Sequence, residues 1–163
     1  MSRSAQRGFT MVELMMVLAV VAILAMIAMP NLQDRMVREQ IVEAAKLADV
    51  AKEPIAFTWK LTRSLPADNA AAGLPAPDRV VSNLVSALTV ENGAVHLTFG
   101  NRASAALRGK ILSFRPAVID DAQVVPVAWV CAGAAAPPPM TLHGSNRTDV
   151  PARYLPLNCR AAP

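Results

Sequence analysis

An apolar segment near the N-terminus constrains this chain more than any other feature. Between Phe9 and Met29 the sequence contains one charged residue, Glu13, and the apolar run ends at Pro30. A run of about 20 apolar residues is long enough to cross a bilayer as a helix. The leader before it, MSRSAQRG, carries two arginines and no acidic residue, which favours a cytoplasmic N-terminus. We therefore expect the rest of the chain to lie outside the inner membrane.

Glu13 is unusual in such a segment. A carboxylate within a membrane-spanning helix is costly and therefore needs a partner. A plain single-pass anchor explains the apolar run but not this glutamate. A secretory signal peptide cleaved near Ala28 is a second alternative, but signal peptides have an uncharged apolar core.

The segment RGFTMVELMMVLAVVAILAMIAMP resembles the N-terminus of a type IV prepilin. The resemblance implies that a prepilin peptidase cuts after Gly8 on the cytoplasmic face and that Phe9, the new N-terminal residue, is N-methylated. It also implies that Glu13 sets the register between subunits during assembly. The new amine on Phe9 would be largely protonated at neutral pH. It could pair with Glu13 of a neighbouring copy, so that neither charge stays unpaired in an apolar environment.

Beyond Pro30 the pattern stays helical but becomes amphipathic. One apolar face recurs at spacings of three and four residues, and it consists of Val37, Ile41, Ala44, Ala48, Ala51 and Ile55. We predict one long helix from about Thr10 to about Leu61, with kinks at Pro30 and Pro54 because proline leaves a carbonyl unpaired. In the alternative, the helix ends near Lys52 and a second short helix follows.

The period changes after residues 64–79, which hold three prolines, a glycine and two aspartates and are predicted to form a connecting loop. Asn92-Gly93 between two apolar runs predicts a tight hairpin, because both central turn residues need positive φ. The predicted strands lie within residues 80–90, 94–99, 111–115 and 124–131.

The order of these elements is similar to the globular half of type IVa pilins. The resemblance implies an α+β type IV pilin fold, in which one long N-terminal α-helix packs on a three- to four-stranded antiparallel sheet. The two cysteines, Cys131 and Cys159, are expected to form a disulfide in an oxidising compartment; two reduced thiols are the alternative. In the family the late cysteines close a C-terminal loop, worth roughly 3–4 kcal/mol at this spacing.

These observations together predict a division of the chain. The predicted parts are a leader (1–8), a transmembrane or filament-core half-helix (9–30), an amphipathic half-helix (31–62) and a globular head (63–163). The head comprises the connecting loop (64–79), the antiparallel sheet (80–131) and the disulfide-bounded loop (131–159).

No residue pattern predicts catalysis, a cofactor or a metal. His96 and His143 lie near no recognisable nucleophile, and Asp120-Asp121 is typical of a turn, with a calcium site as the alternative. Asn146-Arg147-Thr148 matches a glycosylation sequon, a motif that is common by chance.

Nucleic acid is predicted to be a weak partner at most. Without residues 1–8 the chain has 14 basic and 12 acidic residues, a net charge of +2, which is mild. Arg147, Arg153 and Arg160 lie in or beside the predicted disulfide loop and could touch DNA; a solvated basic edge is the favoured interpretation.

The resemblance implies the function of a major pilin. The precursor would wait in the inner membrane with its head in the periplasm, and would then be assembled by the inner-membrane pilus machinery into a homopolymeric extracellular filament. Such filaments serve adhesion, twitching motility and DNA uptake. The alternatives are a minor pilin, a pseudopilin of type II secretion or a membrane-anchored periplasmic binding module. An anchored hydrolase has no supporting residues.

Overall fold

The computed structural model describes residues 8–161, except for the side chains of residues 28–31. Leader residues 1–7 lie outside this range. The chain divides into two compact units, the first ending at Met36 and the second beginning at Val37. The helices are α1 (Met11–Ala45) and α2 (Asp49–Thr62), and the strands are β1 (Val85–Glu91), β2 (Ala94–Phe99), β3 (Ile111–Val118), β4 (Ala128–Cys131) and β5 (Thr141–Leu142).

The first unit is an exposed apolar helix. Every side chain from Met11 to Ile27 is exposed to solvent. A window of this helix has a mean hydropathy of 2.7, none of it buried, and the helix is long and apolar enough to cross a membrane. Its apolar surface has no cover within this unit. A helix that is apolar all round needs lipid or other protein around it.

The second unit begins with an amphipathic stretch whose predicted apolar face is confirmed. All six residues of that face are buried, and Trp59 continues the face by one further turn. The 3₁₀ turn Lys46–Ala48 separates α1 from α2, and α2 continues through Pro54 to Thr62. The alternative of a helix that ends near Lys52 is therefore wrong. Arg63 ends α2 in the left-handed conformation, with its N–H donating to the Trp59 carbonyl at 3.0 Å, a common C-terminal cap.

The sheet is antiparallel in the order β1-β2-β3-β4, with the short β5 paired to β3. The predicted hairpin is confirmed: Glu91 pairs with Ala94, and Asn92 and Gly93 have φ values of 48° and 81°. Three details differ from the sequence prediction. The third strand continues beyond residue 115 to Val118. The fourth strand begins at Ala128, and β5 is an additional strand, too short for its side-chain alternation to be recognised.

The hydrophobic core lies between the helix face and one face of the sheet. Val95, Leu97 and Leu112 belong to the same buried cluster as Ile41 and Ile55. Because successive strand residues point to opposite faces, His96 and Ser113 lie on the other face of the sheet. Both are nevertheless buried, because the disulfide-bounded loop covers them.

The predicted connecting loop is fixed to the edge strand β1 by Asn69, which is buried. Its Nδ2 donates to the Leu88 carbonyl at 2.9 Å and to the Pro75 carbonyl at 3.0 Å. Its Oδ1 accepts from the Val90 N–H at 2.7 Å. One amide side chain thus replaces a neighbouring strand along the free edge of β1, which would otherwise expose unpaired backbone groups.

Candidate assembly site

The start of α1 is a capping box made by Thr10 and Glu13. The Thr10 hydroxyl accepts from the Glu13 N–H at 3.2 Å. Glu13 Oε2 in turn accepts from the Thr10 N–H at 2.9 Å and from the Thr10 hydroxyl at 2.8 Å. This reciprocal pairing satisfies backbone donors that a helix start leaves open. It also fixes the Glu13 carboxylate beside the beginning of the helix.

Only one oxygen of that carboxylate, Oε2, takes part in these hydrogen bonds. The other oxygen can therefore accept from a donor outside the chain. A carboxylate on an otherwise apolar helix surface favours a cation as its partner, because an unpaired carboxylate in an apolar environment is costly. The arrangement supports an electrostatic contact made at the helix start.

The predicted cleavage position, Gly8–Phe9, lies directly before this cap. Residues 8–10 are outside the helix and exposed, and a Cβ atom placed on Gly8 would meet no atom of the described residues within 4 Å, apart from its chain neighbours. A peptide bond in exposed, non-helical backbone is accessible to a peptidase. Pro30 lies within α1, among the residues whose side chains are outside the description, and the kinks at Pro30 and Pro54 stay predictions.

The predicted disulfide between Cys131 and Cys159 is confirmed, with a Cα–Cα distance of 4.6 Å. Both cysteines are buried and belong to the core cluster. The loop that they close is also attached along β3: the Thr148 hydroxyl accepts from the Ser113 N–H at 3.0 Å, and Asp149 pairs with Lys110 at 3.3 Å. The disulfide therefore closes a loop that is already bound to the sheet.

His96 lies at the centre of a polar cluster under this loop. Its Nδ1 lies 2.9 Å from the Ser113 hydroxyl, and its Nε2 lies 3.5 Å from a Glu91 carboxylate oxygen. Arg147 pairs with the same Glu91 oxygen at 2.7 Å, and its N–H donates to the Ser113 hydroxyl at 2.9 Å. Burial lowers the pKa of His96, and Arg147 lowers it further, against the opposing effect of Glu91.

This cluster has the residue types of a hydrolytic triad but not its accessibility. Ser113 is fully buried and His96 nearly so, whereas a catalytic nucleophile must reach its substrate. The Ser113 hydroxyl already bonds the loop backbone at Arg147. We conclude that the cluster holds the loop on the sheet.

The three arginines of the predicted basic edge are largely engaged within the head. Arg147 pairs with Glu91. Arg160 donates to the carbonyls of Leu155 and Arg153, and the Arg153 guanidinium lies 4.7 Å from the Tyr154 ring centre. Of these contacts only the ion pair with Glu91 offsets a positive charge. Arg153 and Arg160 keep their charges, because a carbonyl or a ring does not neutralise a guanidinium, and nucleic-acid affinity depends on cations that can neutralise phosphates.

The Asp120-Asp121 pair lies in a turn, as predicted from its composition. The Oδ1 atom of Asp120 lies 3.2 Å from Nε2 of His143, within hydrogen-bond distance. Within residues 8–161 the structure contains no group of three His, Cys, Asp or Glu side chains that could hold a metal ion.

The fold and the helix start together define a class of protein. Proteins of this class have an α+β head and an apolar N-terminal helix that is exposed in the single chain. A glutamate in a capping box is the charged group at the start of that helix. The family described as pilin (bacterial filament) matches residues 37–160. The prokaryotic N-terminal methylation motif matches residues 3–29.

Relatives match over nearly the whole chain. Fimbrial protein EcpC of Eikenella corrodens is 33% identical, with 99% of this chain and 95% of the relative covered. Type IV major pilin protein PilE1 of Neisseria gonorrhoeae is 32% identical, with 96% and 88% covered. A fimbrial protein of Neisseria meningitidis serogroup B is 30% identical, with 96% and 95% covered.

The chain belongs to the type IV pilin family. It is a structural subunit of a pilus, extracellular when assembled, in a family that is not known for enzymes. Its methylation motif implies processing by a prepilin peptidase, and its apolar N-terminal helix fits membrane anchoring of the precursor.

Proposed function

We propose that this chain is a major pilin precursor, cleaved between Gly8 and Phe9 and N-methylated on Phe9. The observation that carries the proposal is the position of Glu13, held by the capping box at the start of an exposed apolar helix. The match of residues 3–29 to the methylation motif supports the processing step. Relatives named type IV major pilin support the role of a main subunit.

In this proposal residues 9–30 hold the precursor in the inner membrane until the assembly machinery extracts it. The apolar helices of many copies then pack together, and helix contacts replace lipid contacts. The Glu13 carboxylate of one copy pairs with the Phe9 amine of the next and fixes the register. Residues 31–62 support the head (63–163), which coats the filament.

Surface adhesion and twitching motility are the roles that we propose for the assembled filament. DNA uptake has less support, because the net charge without residues 1–8 is only +2 and Arg147 already pairs with Glu91. A deletion strain that loses secretion but keeps its pili would instead assign the chain to a secretion system as a pseudopilin. A deletion strain that keeps its pili with secretion intact would exclude a major pilin and leave a minor pilin or an anchored periplasmic binding module.

The processing step is tested by the intact mass of protein sheared from the cell surface, with and without reductant. We expect a chain that begins at Phe9 and carries one methyl group, and that gains two hydrogens on reduction. A chain that begins at Met1 and stays in the membrane would indicate an ordinary anchored domain. A chain that begins near Met29 would indicate a secretory signal peptide.

The assembly step is tested with Glu13→Gln, which keeps the size and the capping geometry but removes the charge. We expect correct cleavage and loss of surface filaments. Glu43→Gln is the matched control, because Glu43 is an exposed glutamate of the same helix outside the apolar segment. Normal filaments from Glu13→Gln would refute the proposed pairing.

A further inference from the structure

The loop between β2 and β3 carries positive charge without any acidic residue. It contains Arg102, Arg108 and Lys110, and residues 92–119 as a whole include no aspartate or glutamate. Both arginines are exposed to solvent. We call residues 100–110 the basic loop.

The two arginines of the basic loop keep their charges. Arg102 makes no side-chain hydrogen bond or ion pair with the part of the chain that the structure describes. Arg108 donates to the Ala103 carbonyl at 3.4 Å, which does not neutralise a guanidinium. Lys110, by contrast, pairs with Asp149 at 3.3 Å. The basic loop therefore presents two cations that are available to an anionic partner.

The basic loop is fixed to the body of the head. Asn101 Nδ2 donates to the carbonyls of Ser82 and Val85 at 2.7 and 3.0 Å. Ala103 and Leu107 are buried in the core cluster. Apart from the buried leucine, only small side chains lie between the two arginines, so the loop backbone can approach a flat surface closely. An ordered loop also loses little conformational entropy when it binds.

The basic loop lies at the end of the head where the helix enters. The Ser104 N–H donates to Gln40 Oε1 at 3.0 Å, and Gln40 lies near the start of the second unit. At the opposite end of β2, the Asn92-Gly93 turn bonds the connecting loop that follows α2. The entering helix adds no net charge, because residues 34–46 include three basic and three acidic residues. The basic loop therefore sets the sign of the charge at this end.

This end of the head is close along the chain to the apolar segment. Gln40 follows Pro30 by ten residues within α1, which is about 15 Å of helix. The headgroup layer of a bilayer extends about 5–8 Å beyond the hydrocarbon core, and electrostatic attraction reaches about 8 Å further at physiological salt. The chain thus keeps the basic loop within range of the phosphates of a membrane that holds residues 9–30.

We infer that the basic loop binds the anionic phospholipid headgroups of the membrane that holds the precursor. The inference rests on the proposed function, since it requires residues 9–30 to be embedded in a bilayer. Together Arg102 and Arg108 should raise the equilibrium constant for the docked head about 30-fold, which corresponds to about 1 kcal/mol for each basic residue. A docked head would keep one orientation on the membrane surface until the helix leaves the bilayer.

The first test measures the contact between the basic loop and lipid in the full-length chain. A nitroxide spin label is attached to Ala105→Cys, an exposed position between the two arginines. The chain is reconstituted into vesicles of phosphatidylcholine, with or without phosphatidylglycerol. We expect the ratio of lipid-contacting to free label to be about 30-fold higher in the anionic vesicles and to fall at high salt. A label on Ala70→Cys, exposed in the connecting loop, should report no difference.

The second test removes the two charges. In Arg102→Gln/Arg108→Gln the label ratio in anionic vesicles should fall to its value in neutral vesicles. Lys60→Gln/Arg63→Gln is the matched control, because it removes the same charge from two exposed residues at the far end of α2; its ratio should be unchanged. Disulfide formation and thermal unfolding should match the unmodified protein in both double variants.

The possible failures are distinguishable. If the unmodified chain does not float with the vesicles, the membrane-held precursor of the proposed function is wrong. If it floats and the label ratio is equal in neutral and anionic vesicles, only the role of the basic loop is refuted. A ratio that rises with the protein-to-lipid ratio, and not with the phosphatidylglycerol content, would show that another copy covers the basic loop and would overturn the inference.

Discussion

Replacing Asn69 with alanine removes the side chain that fixes the connecting loop to β1. The substitution leaves the Leu88 carbonyl and the Val90 N–H, both buried at this point, without their hydrogen-bond partner. A buried polar backbone group that loses its partner costs about 1–3 kcal/mol. Two such groups predict that Asn69→Ala lowers the free energy of unfolding by about 2–6 kcal/mol. That loss is a large fraction of the stability of an ordinary domain, which is about 5–15 kcal/mol.

The variant Asn69→Asp tests the hydrogen bonds of this side chain separately from its shape. Aspartate has the same outline, but the atom that replaces Nδ2 would face the carbonyls of Leu88 and Pro75 as an acceptor. Burial and these oxygens should raise the pKa of the new carboxyl in the folded state. The destabilisation relative to the unmodified protein should therefore be full above the folded pKa and should shrink as the pH falls through it, because the protonated carboxyl can donate.

The measurement is urea unfolding of the full-length chain in detergent, followed by circular dichroism. Asp68→Ala is the matched control, because the neighbouring Asp68 makes one exposed hydrogen bond, to the Ala71 N–H, and such a contact should be worth about 1 kcal/mol or less. If Asn69→Ala and Asp68→Ala have equal effects, the argument that Asn69 holds the edge strand is refuted.

Other predictions follow from the disulfide-bounded loop. Replacing Cys131 and Cys159 by alanine opens a loop with a sequence separation of 28 and should lower the free energy of unfolding by about 3.6 kcal/mol; equal stability with and without the bond, by the same urea titration, would contradict this. His96 is protonated near pH 6.5 when unfolded but at lower pH when folded. Its contribution to stability should therefore be full above pH 6.5 and decline as the pH falls towards the folded pKa, by at most about 1.4 kcal/mol per pH unit. Thermal unfolding across this range should show a weaker decline in His96→Gln than in the unmodified protein, and equal declines would contradict the prediction.

Local periodicity predicted much of the fold. The apolar face from Val37 to Ile55 is buried as the three-and-four spacing required. The Asn92-Gly93 turn has the positive φ values that its residue types favour. Both features depend on residues that are close to one another in the sequence, so they could be identified without knowledge of the fold.

Other features were missed because their partners lie far away in the sequence. The strand predicted to begin at Val124 begins at Ala128, because the residues that pair with β3 run from Ala128 to Cys131. The burial of His96 depends on a loop about fifty residues further along the chain, which brings Arg147 onto Ser113, the β3 residue that pairs with His96. The role of Asn69 depends on Leu88 and Val90 of β1, which follow it by 19 and 21 residues.

The sequence by itself determined the parts that act through local chemistry. These are the methylation motif, the apolar helix, its glutamate with the capping threonine three residues before it, and the helical face that meets the sheet. Tertiary structure alone decided which polar groups are buried, how the disulfide-bounded loop lies on the sheet, and that the basic loop lies where the helix enters the head. The physical reason is that burial depends on what covers a side chain. A helical pattern shows which residues share a face, but the cover comes from segments distant in the chain.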